Sequence, residues 1–281
     1  MKTIFKYILS IILAIAIVVS FFLDLFSSTI LNKNYLINKL EEIDYYTKIY
    51  EQVKTNFENY IYQSGFEEYI LDNVVNKEKI KKDTIIIIDN IYDSVNDKID
   101  IQEIKENLAD NISKSLGNMN LSENQREAID TFIEHICNEY TNTIFAFGNG
   151  SQINNIIGEI HTKIKLIKKI ILMVIGIDFL VLLVLNLKRI YKFITFIGIS
   201  LNISGLTLFI INVYIRTQIN FDNIVILNDG ITCLLKNIVN ELISIINKTG
   251  ITIAAMGIIF IFVSNLLHNI RVYKKTQEKN I

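Results

Sequence analysis

The sequence predicts an all-α membrane protein, with four transmembrane helices and an antiparallel helical-bundle extracytoplasmic domain. Three observations predict it. The apolar residues, 51% of the 281, gather in four blocks long enough to cross a bilayer. Acidic charge gathers elsewhere: residues 28 to 160 hold 23 Asp and Glu against 12 Lys and Arg, a net charge of −11. Within that acidic stretch apolar residues recur every three or four positions, the period of an amphipathic helix.

The first block, Ile4 to Phe26, is interrupted only by Lys6, Ser10, Ser20 and Asp24. At about 1.5 Å per residue it spans a hydrocarbon core of about 30 Å. Lys2 and Lys6 lead into it as in a signal anchor, and no small-x-small cleavage pattern follows, so residues 1–27 read as a retained N-terminal anchor helix.

Residues 28–163 read as the extracytoplasmic domain. From Asn34 to Ser64 the stripe Leu36, Leu40, Ile43, Tyr46, Tyr50, Val53, Phe57 and Tyr60 predicts one helix, with Gly65 as its stop. Ile80, Thr84, Ile88, Ile91 and Val95 predict a second, which places the run Ile85 to Ile88 inside a helix. Asp100 with Glu103 and Ser122 with Gln125 have the capping-box form, in which the first side chain accepts from the backbone three residues on and the second reaches back. Behind them run the stripes Ile101, Ile104, Leu108, Ile112 and Ile129, Phe132, Ile133, Ile136, Tyr140, Ile144. Such stripes bury nothing alone, and packing them on one another gives an antiparallel bundle. After the turn signal Gly148, Asn149, Gly150, the stripe Ile153, Ile156, Ile160, Ile164, Ile167 leads into the second block. A single helix from about Gln152 to Leu187 would be about 54 Å long.

Residues 164–213 read as a transmembrane hairpin of spans Ile170 to Leu187 and Phe193 to Val213, the first extending outward as a stalk. Residues 214–250 read as an outer loop carrying the amphipathic helix Ile231, Leu234, Leu235, Ile238, Val239, Leu242, Ile246. Residues 251–281 hold the last span, Ile251 to Leu267, and a basic tail. Lys2, Lys6, Lys188, Arg189, Lys192, Arg271, Lys274, Lys275 and Lys279 then fall on one face, with Glu278 the only acid among them, so that face and both termini are expected in the cytoplasm of a multi-pass cell-membrane protein. Lys163, Lys165, Lys168 and Lys169 oppose this from the outer mouth of the second span; the long acidic domain translocates regardless of charge.

Chemistry-bearing residues are few. Asp178 is the acid in the middle of a span, where a carboxylate is costly and raises the question of an ion or proton site. In a hairpin centred on Ile190 it lies level with Asn202, near Ser200 and Ser204, so this intramembrane polar group serves either as hydrogen-bonded glue or in ion handling. Small residues four apart, Ser10 with Ala14, Ala16 with Ser20, Ser200 with Ser204 and Gly250 with Ala254, allow close helix approach. Cys137 and Cys233 both fall on the outer side, where a disulfide is an option beside two buried thiols. His135, His161 and His268 lack metal spacing, and no phosphate loop, nucleophile elbow or zinc motif occurs, so no catalytic, cofactor or metal residues are assigned. The acidic domain argues against a nucleic-acid partner. The chain has neither proline nor tryptophan, which suits long helices but is better accounted for by AT-rich coding.

The layout of one span, a large outer domain, a close pair of spans, a smaller loop and a last span resembles that of the cell-division and lipoprotein-release class of ABC permeases, the FtsX-like proteins. The resemblance covers topology across the chain and no motif. It implies an ATPase held through cytoplasmic segments, in place of which this chain has short ones such as Lys188 to Lys192. The expectation is a non-enzymatic membrane protein of the cell envelope, partnered by the lipid bilayer, whose ectodomain binds an envelope protein or senses a condition; a permease or ion-handling subunit and a self-associating homo-oligomer are the alternatives.

Overall fold

A computed structural model describes residues 2–93, 95, 97–117, 120–144, 150–218 and 229–277. Gly148, Asn149, Glu278 and Lys279 lie outside them. Among the described residues the fold is all-helical without strands. The helices are α1 (Lys2–Ser28), α2 (Lys33–Glu42), α3 (Tyr45–Ser64), α4 (Lys77–Tyr92), α5 (Gln102–Leu116), α6 (Glu123–Ile144), α7 (Gly150–Asn186), α8 (Ile190–Gln218) and α9 (Asp229–Gln277), with 3-10 turns at Glu68–Leu71 and Leu187–Arg189. Among the described residues three stretches are long and apolar enough to cross a membrane: Thr3–Ser28, Ile153–Gln218 and Asp229–Lys274. The middle one holds both α7 and α8, divided by the Leu187–Arg189 turn.

The chain forms two compact units. The first comprises residues 1–29, 161–223 and 238–281, the second residues 30–160 and 224–237.

In the first unit α1 packs along α8. Leu9 and Leu13 close with Leu182, Phe196 and Ile197 around one small core, and Leu25 with Leu208 and Ile246 around another. The rings of Phe179 and Phe193 meet edge to face at 5.0 Å across the turn, so α8 doubles back on α7. The opposite faces carry large exposed apolar side chains, Ile4, Ile8, Ile11 and Ile15 on α1 and Ile251, Ile258, Phe262 and Leu266 on α9. Helices that are apolar on the outside as well as the inside are suited to a lipid surround.

The second unit is a bundle of α2 to α6. Ile80, Ile87, Ile88 and Ile91 of α4, Ile104, Leu108 and Ile112 of α5, and Ile136, Tyr140 and Ile144 of α6 are all buried with Leu40, Ile49, Val53 and Phe57. Each such side chain contributes roughly 1.5–3 kcal/mol by leaving water.

Several boundaries differ from those the stripes predict. The helix expected over Asn34 to Ser64 is two, parted at Ile43 and Asp44; Asp44 sits at φ 53°, a left-handed conformation that stops one helix and lets the next start at a new angle. Val95 lies beyond the end of α4 and is exposed. Asp100 accepts from the backbone N–H of Gln102 at 2.9 Å, while the Glu103 carboxylate faces Lys79 at 3.7 Å, so this capping box does not close. The one at Ser122 does reach back, the Gln125 side chain accepting from the Ser122 N–H at 2.9 Å. Gly65 ends α3 at φ 77° as expected. The stalk is helical from Gly150, but Ile156, Ile160 and Ile167 are exposed along it. The amphipathic helix near Ile231 and the last span are one continuous helix, α9, which runs through Gly250 without a break.

Candidate functional site

In the first unit, polar side chains line the seam of the apolar helices. Small residues of α1 and α8 meet there. Ser10 Oγ donates to the Phe196 carbonyl (3.3 Å) and Ser204 Oγ to the Ala14 carbonyl (3.1 Å), bonds that require the two helix backbones to approach closely. Ser200 and Ser204 also bond back along their own helix, at 2.9 and 2.7 Å. On the other side of α8 the spacing is set by glycine. A Cβ on Gly205 would lie 2.4 Å from the Ala254 nitrogen, and one on Gly257 would lie 2.7 Å from that of Asn202. The stripes of small residues legible in the sequence therefore pack on each other.

Asp178 is buried, 4% exposed, and its Oδ2 has no hydrogen-bond partner among the described residues. It lies one turn from Leu182, which packs on Phe196 and Ile197, and Ser200 lies one turn from Phe196 in the same direction. Among the described contacts the polar group does not join up. Asn202 donates instead to the Gly198 carbonyl (3.0 Å) and faces α9, and the serine hydroxyls are engaged by backbone carbonyls. The expected hydrogen bond between Asp178 and Asn202 is not among the described contacts, the Asn202 amide being engaged by the Gly198 carbonyl of its own helix.

At one end of this unit three distant segments converge. Lys6 Nζ donates to the Leu185 carbonyl (3.0 Å) and to Asn186 Oδ1 (2.7 Å), and Arg271 Nη1 to the Lys188 carbonyl (2.8 Å). Arg271 also lies over the Tyr191 ring, 5.9 Å from its centroid, and Ser264 Oγ donates to the Tyr191 carbonyl at 2.5 Å. Farther along α1, Asp24 pairs with Lys168.

The second unit contains a buried charged group that the sequence reading missed. Asp83 accepts from the Tyr140 hydroxyl at 2.5 Å and from Lys79 Nζ at 3.3 Å, and Lys79 also donates to the Asp100 carbonyl at 2.7 Å. The Asp83 and Lys79 side chains are 2% and 7% exposed. Burial, then the bond to Asp83, pushes the Tyr140 hydroxyl well above the ordinary phenol range. The one available signal was the i, i+4 spacing of Lys79 and Asp83, which by itself reads as an ordinary surface pair.

An open cleft of about 630 Å³ lies beside α3, lined by Tyr50, Phe57 and Tyr69 and by Glu58, Glu68 and Asp72. Lys54 is held by Glu58 at 3.6 Å on its rim. His135 stacks on Tyr60 with centroids 6.5 Å apart. Among the described residues no three His, Cys, Asp or Glu side chains are grouped to hold a metal ion.

Cys137 and Cys233 are free thiols, so the disulfide left open by the sequence is not formed. Cys137 is buried in the bundle, and Cys233 Sγ lies 2.9 Å from Lys48 Nζ. Burial pushes the Cys137 thiol up, an effect Lys105 partly offsets and Glu134 reinforces. A maleimide titration of the native chain at neutral pH is therefore expected to label Cys233 first and Cys137 only after unfolding; equal rates would contradict the burial of Cys137.

No protein family, curated protein or solved structure matches the chain.

Proposed function

We propose that the protein is a non-enzymatic membrane protein of the cell envelope, crossing the bilayer four times with both termini in the cytoplasm, whose acidic helical domain stands outside and binds an envelope protein or senses a condition there. Four crossings follow if α7 and α8 each traverse the membrane. At 37 and 29 residues both exceed what a core of about 30 Å requires. The observation that carries the reading is a unit of net negative charge with a complete core and an aromatic, acid-lined cleft, on a chain that also carries helices suited to lipid. The unbroken run of α7 from Gly150 supports a mechanical role for that helix in sensing.

The test has two parts. A reporter inserted near residue 110 should be exported, and a photo-crosslinking residue at Tyr69 of the full-length chain should capture an envelope component in cells. A cytosolic reporter would sink the topology, and crosslinks no different from those of a probe on the far surface of the bundle would sink the binding role. Crosslinking at positions along the Leu36 to Tyr60 face, much of which is buried in the unit's own core, would separate this reading from a homo-oligomer.

The unpartnered Oδ2 of Asp178 favours the second reading, ion or proton handling by the spanning helices. Asp178→Asn separates the two. In proteoliposomes the variant is expected to keep its fold and behave like the wild type, and loss of a wild-type proton or cation flux would move the assignment to transport.

A further inference from the structure

We propose that the end of the spanning unit where α7 turns into α8 and α9 finishes is a binding surface for anionic phospholipid headgroups, formed by Lys188, Arg189, Lys192, Arg271 and Lys274. The proposal rests on the membrane-spanning reading and adds to it a lipid class. The Arg271 bond to the Lys188 carbonyl and the Ser264 bond to the Tyr191 carbonyl hold α9 against the turn, so cations about 80 residues apart in sequence share one end of the unit. Residues 182–192 and 265–277 contain no Asp or Glu, and among the described residues none of the five cations forms a salt bridge. Among the described residues no carboxylate neutralises their charge. Lys188, Arg189, Arg271 and Lys274 are exposed, and Lys192 is half-buried.

The commitment to a lipid over free phosphate comes from the neighbours. Leu187, Ile190 and Ile270 are 59%, 60% and 55% exposed beside these cations. Ammonium and guanidinium groups without a carboxylate partner among the described residues, next to exposed aliphatic surface, match a molecule with an anionic head and hydrocarbon chains. Arg271, fixed over the Tyr191 ring, presents a planar donor set suited to a phosphodiester.

The experiment is native mass spectrometry of the delipidated full-length chain in detergent, titrated with phosphatidylglycerol or phosphatidylcholine. The wild type should retain phosphatidylglycerol preferentially, and K188Q/R189Q/K192Q should lose that preference by roughly five-fold per cation removed. The same number of charges removed elsewhere, in K163Q/K165Q/K169Q, should leave it in place. Equal retention of the two lipids by the wild type, or equal loss in both triple variants, would overturn the proposal. So would displacement of phosphatidylglycerol by millimolar inorganic phosphate, which would make the surface an anion site indifferent to lipid. Recovery of the chain in aqueous buffer without detergent would instead sink the spanning reading itself.

Discussion

Asp83→Ala is expected to destabilise the acidic helical unit by about 3–5 kcal/mol, the cost of leaving a buried cation without its partner. The carboxylate accepts from Tyr140 and Lys79 together, and both of those groups are enclosed. Removing it strands a phenol and an ammonium in a low-dielectric interior, with only the Asp100 carbonyl and a distant Glu103 left to Lys79. Tyr140→Phe should cost less, about 1–2 kcal/mol, because it takes away one donor and leaves the ion pair. Pulse proteolysis of the full-length chain in detergent, read at sites within α4 to α6, measures both; a D83A variant as resistant as the wild type would mean the cluster is hydrated. The tyrosines add a pH dependence. Burial first, and Glu41 second, pushes Tyr46 up to about 12, and Tyr45 and Tyr140 are raised as well. A phenol whose folded value is raised contributes stability that is fully present below its unfolded value near ~10 and is lost as pH climbs through the folded value. For Tyr46 that window runs from ~10 to about 12, so the unit should weaken on alkaline titration.

Gly205→Leu should disrupt the spanning unit, with a loss of about 3 kcal/mol, the upper end of what overpacking usually costs. The first added carbon would already lie 2.4 Å from the Ala254 nitrogen and 2.6 Å from the Gly250 carbonyl oxygen. Those atoms are backbone, which cannot swing aside as a side-chain tip can. Relief requires α8 and α9 to part, which breaks the bond from Asn212 Nδ2 to the Ile243 carbonyl (2.7 Å) and loosens the contact of Leu208 with Ile246. Gly176→Ala is the control, since nothing lies within 4 Å of a Cβ there and a helical alanine is favoured by about 1 kcal/mol. Thermal unfolding of both variants in the same detergent compares them, and equal melting temperatures would refute the packing assigned to Gly205.

What the sequence could reveal depended on the range of the interaction. Period and length are local, so the stripes through Ile80 to Ile91, Ile104 to Ile112 and Ile133 to Ile144 predicted the helices they form and the faces they bury. The break at Asp44 was hidden because the apolar spacing continues across it, and only a left-handed backbone angle divides α2 from α3. The N-caps Asn32 and Asn76, which accept from Tyr35 and Lys79 at 3.2 and 2.8 Å, were overlooked although each has the residue type a helix start favours. Polar partnerships were the least legible. Matching Asp178 to Asn202 by depth carries no information on rotation about the helix axes, and rotation decides which groups can bond. The charged cluster joining Lys79, Asp83 and Tyr140 depends on α4 and α6 packing together, which no local pattern encodes.

The seam between α8 and α9 also limits how this unit can move. Turning α8 about its own axis by one residue would bring Ile199 or Leu206 to where Gly198 and Gly205 now rest on main-chain atoms, so rotation of this helix against α9 is blocked sterically. The two helices should therefore turn as a locked pair. The flank of α7 from Leu172 through Met173, Ile177 and Leu180 to Val184 is exposed, while Leu182 and the Lys6 bonds to Leu185 and Asn186 tie the same helix to α1.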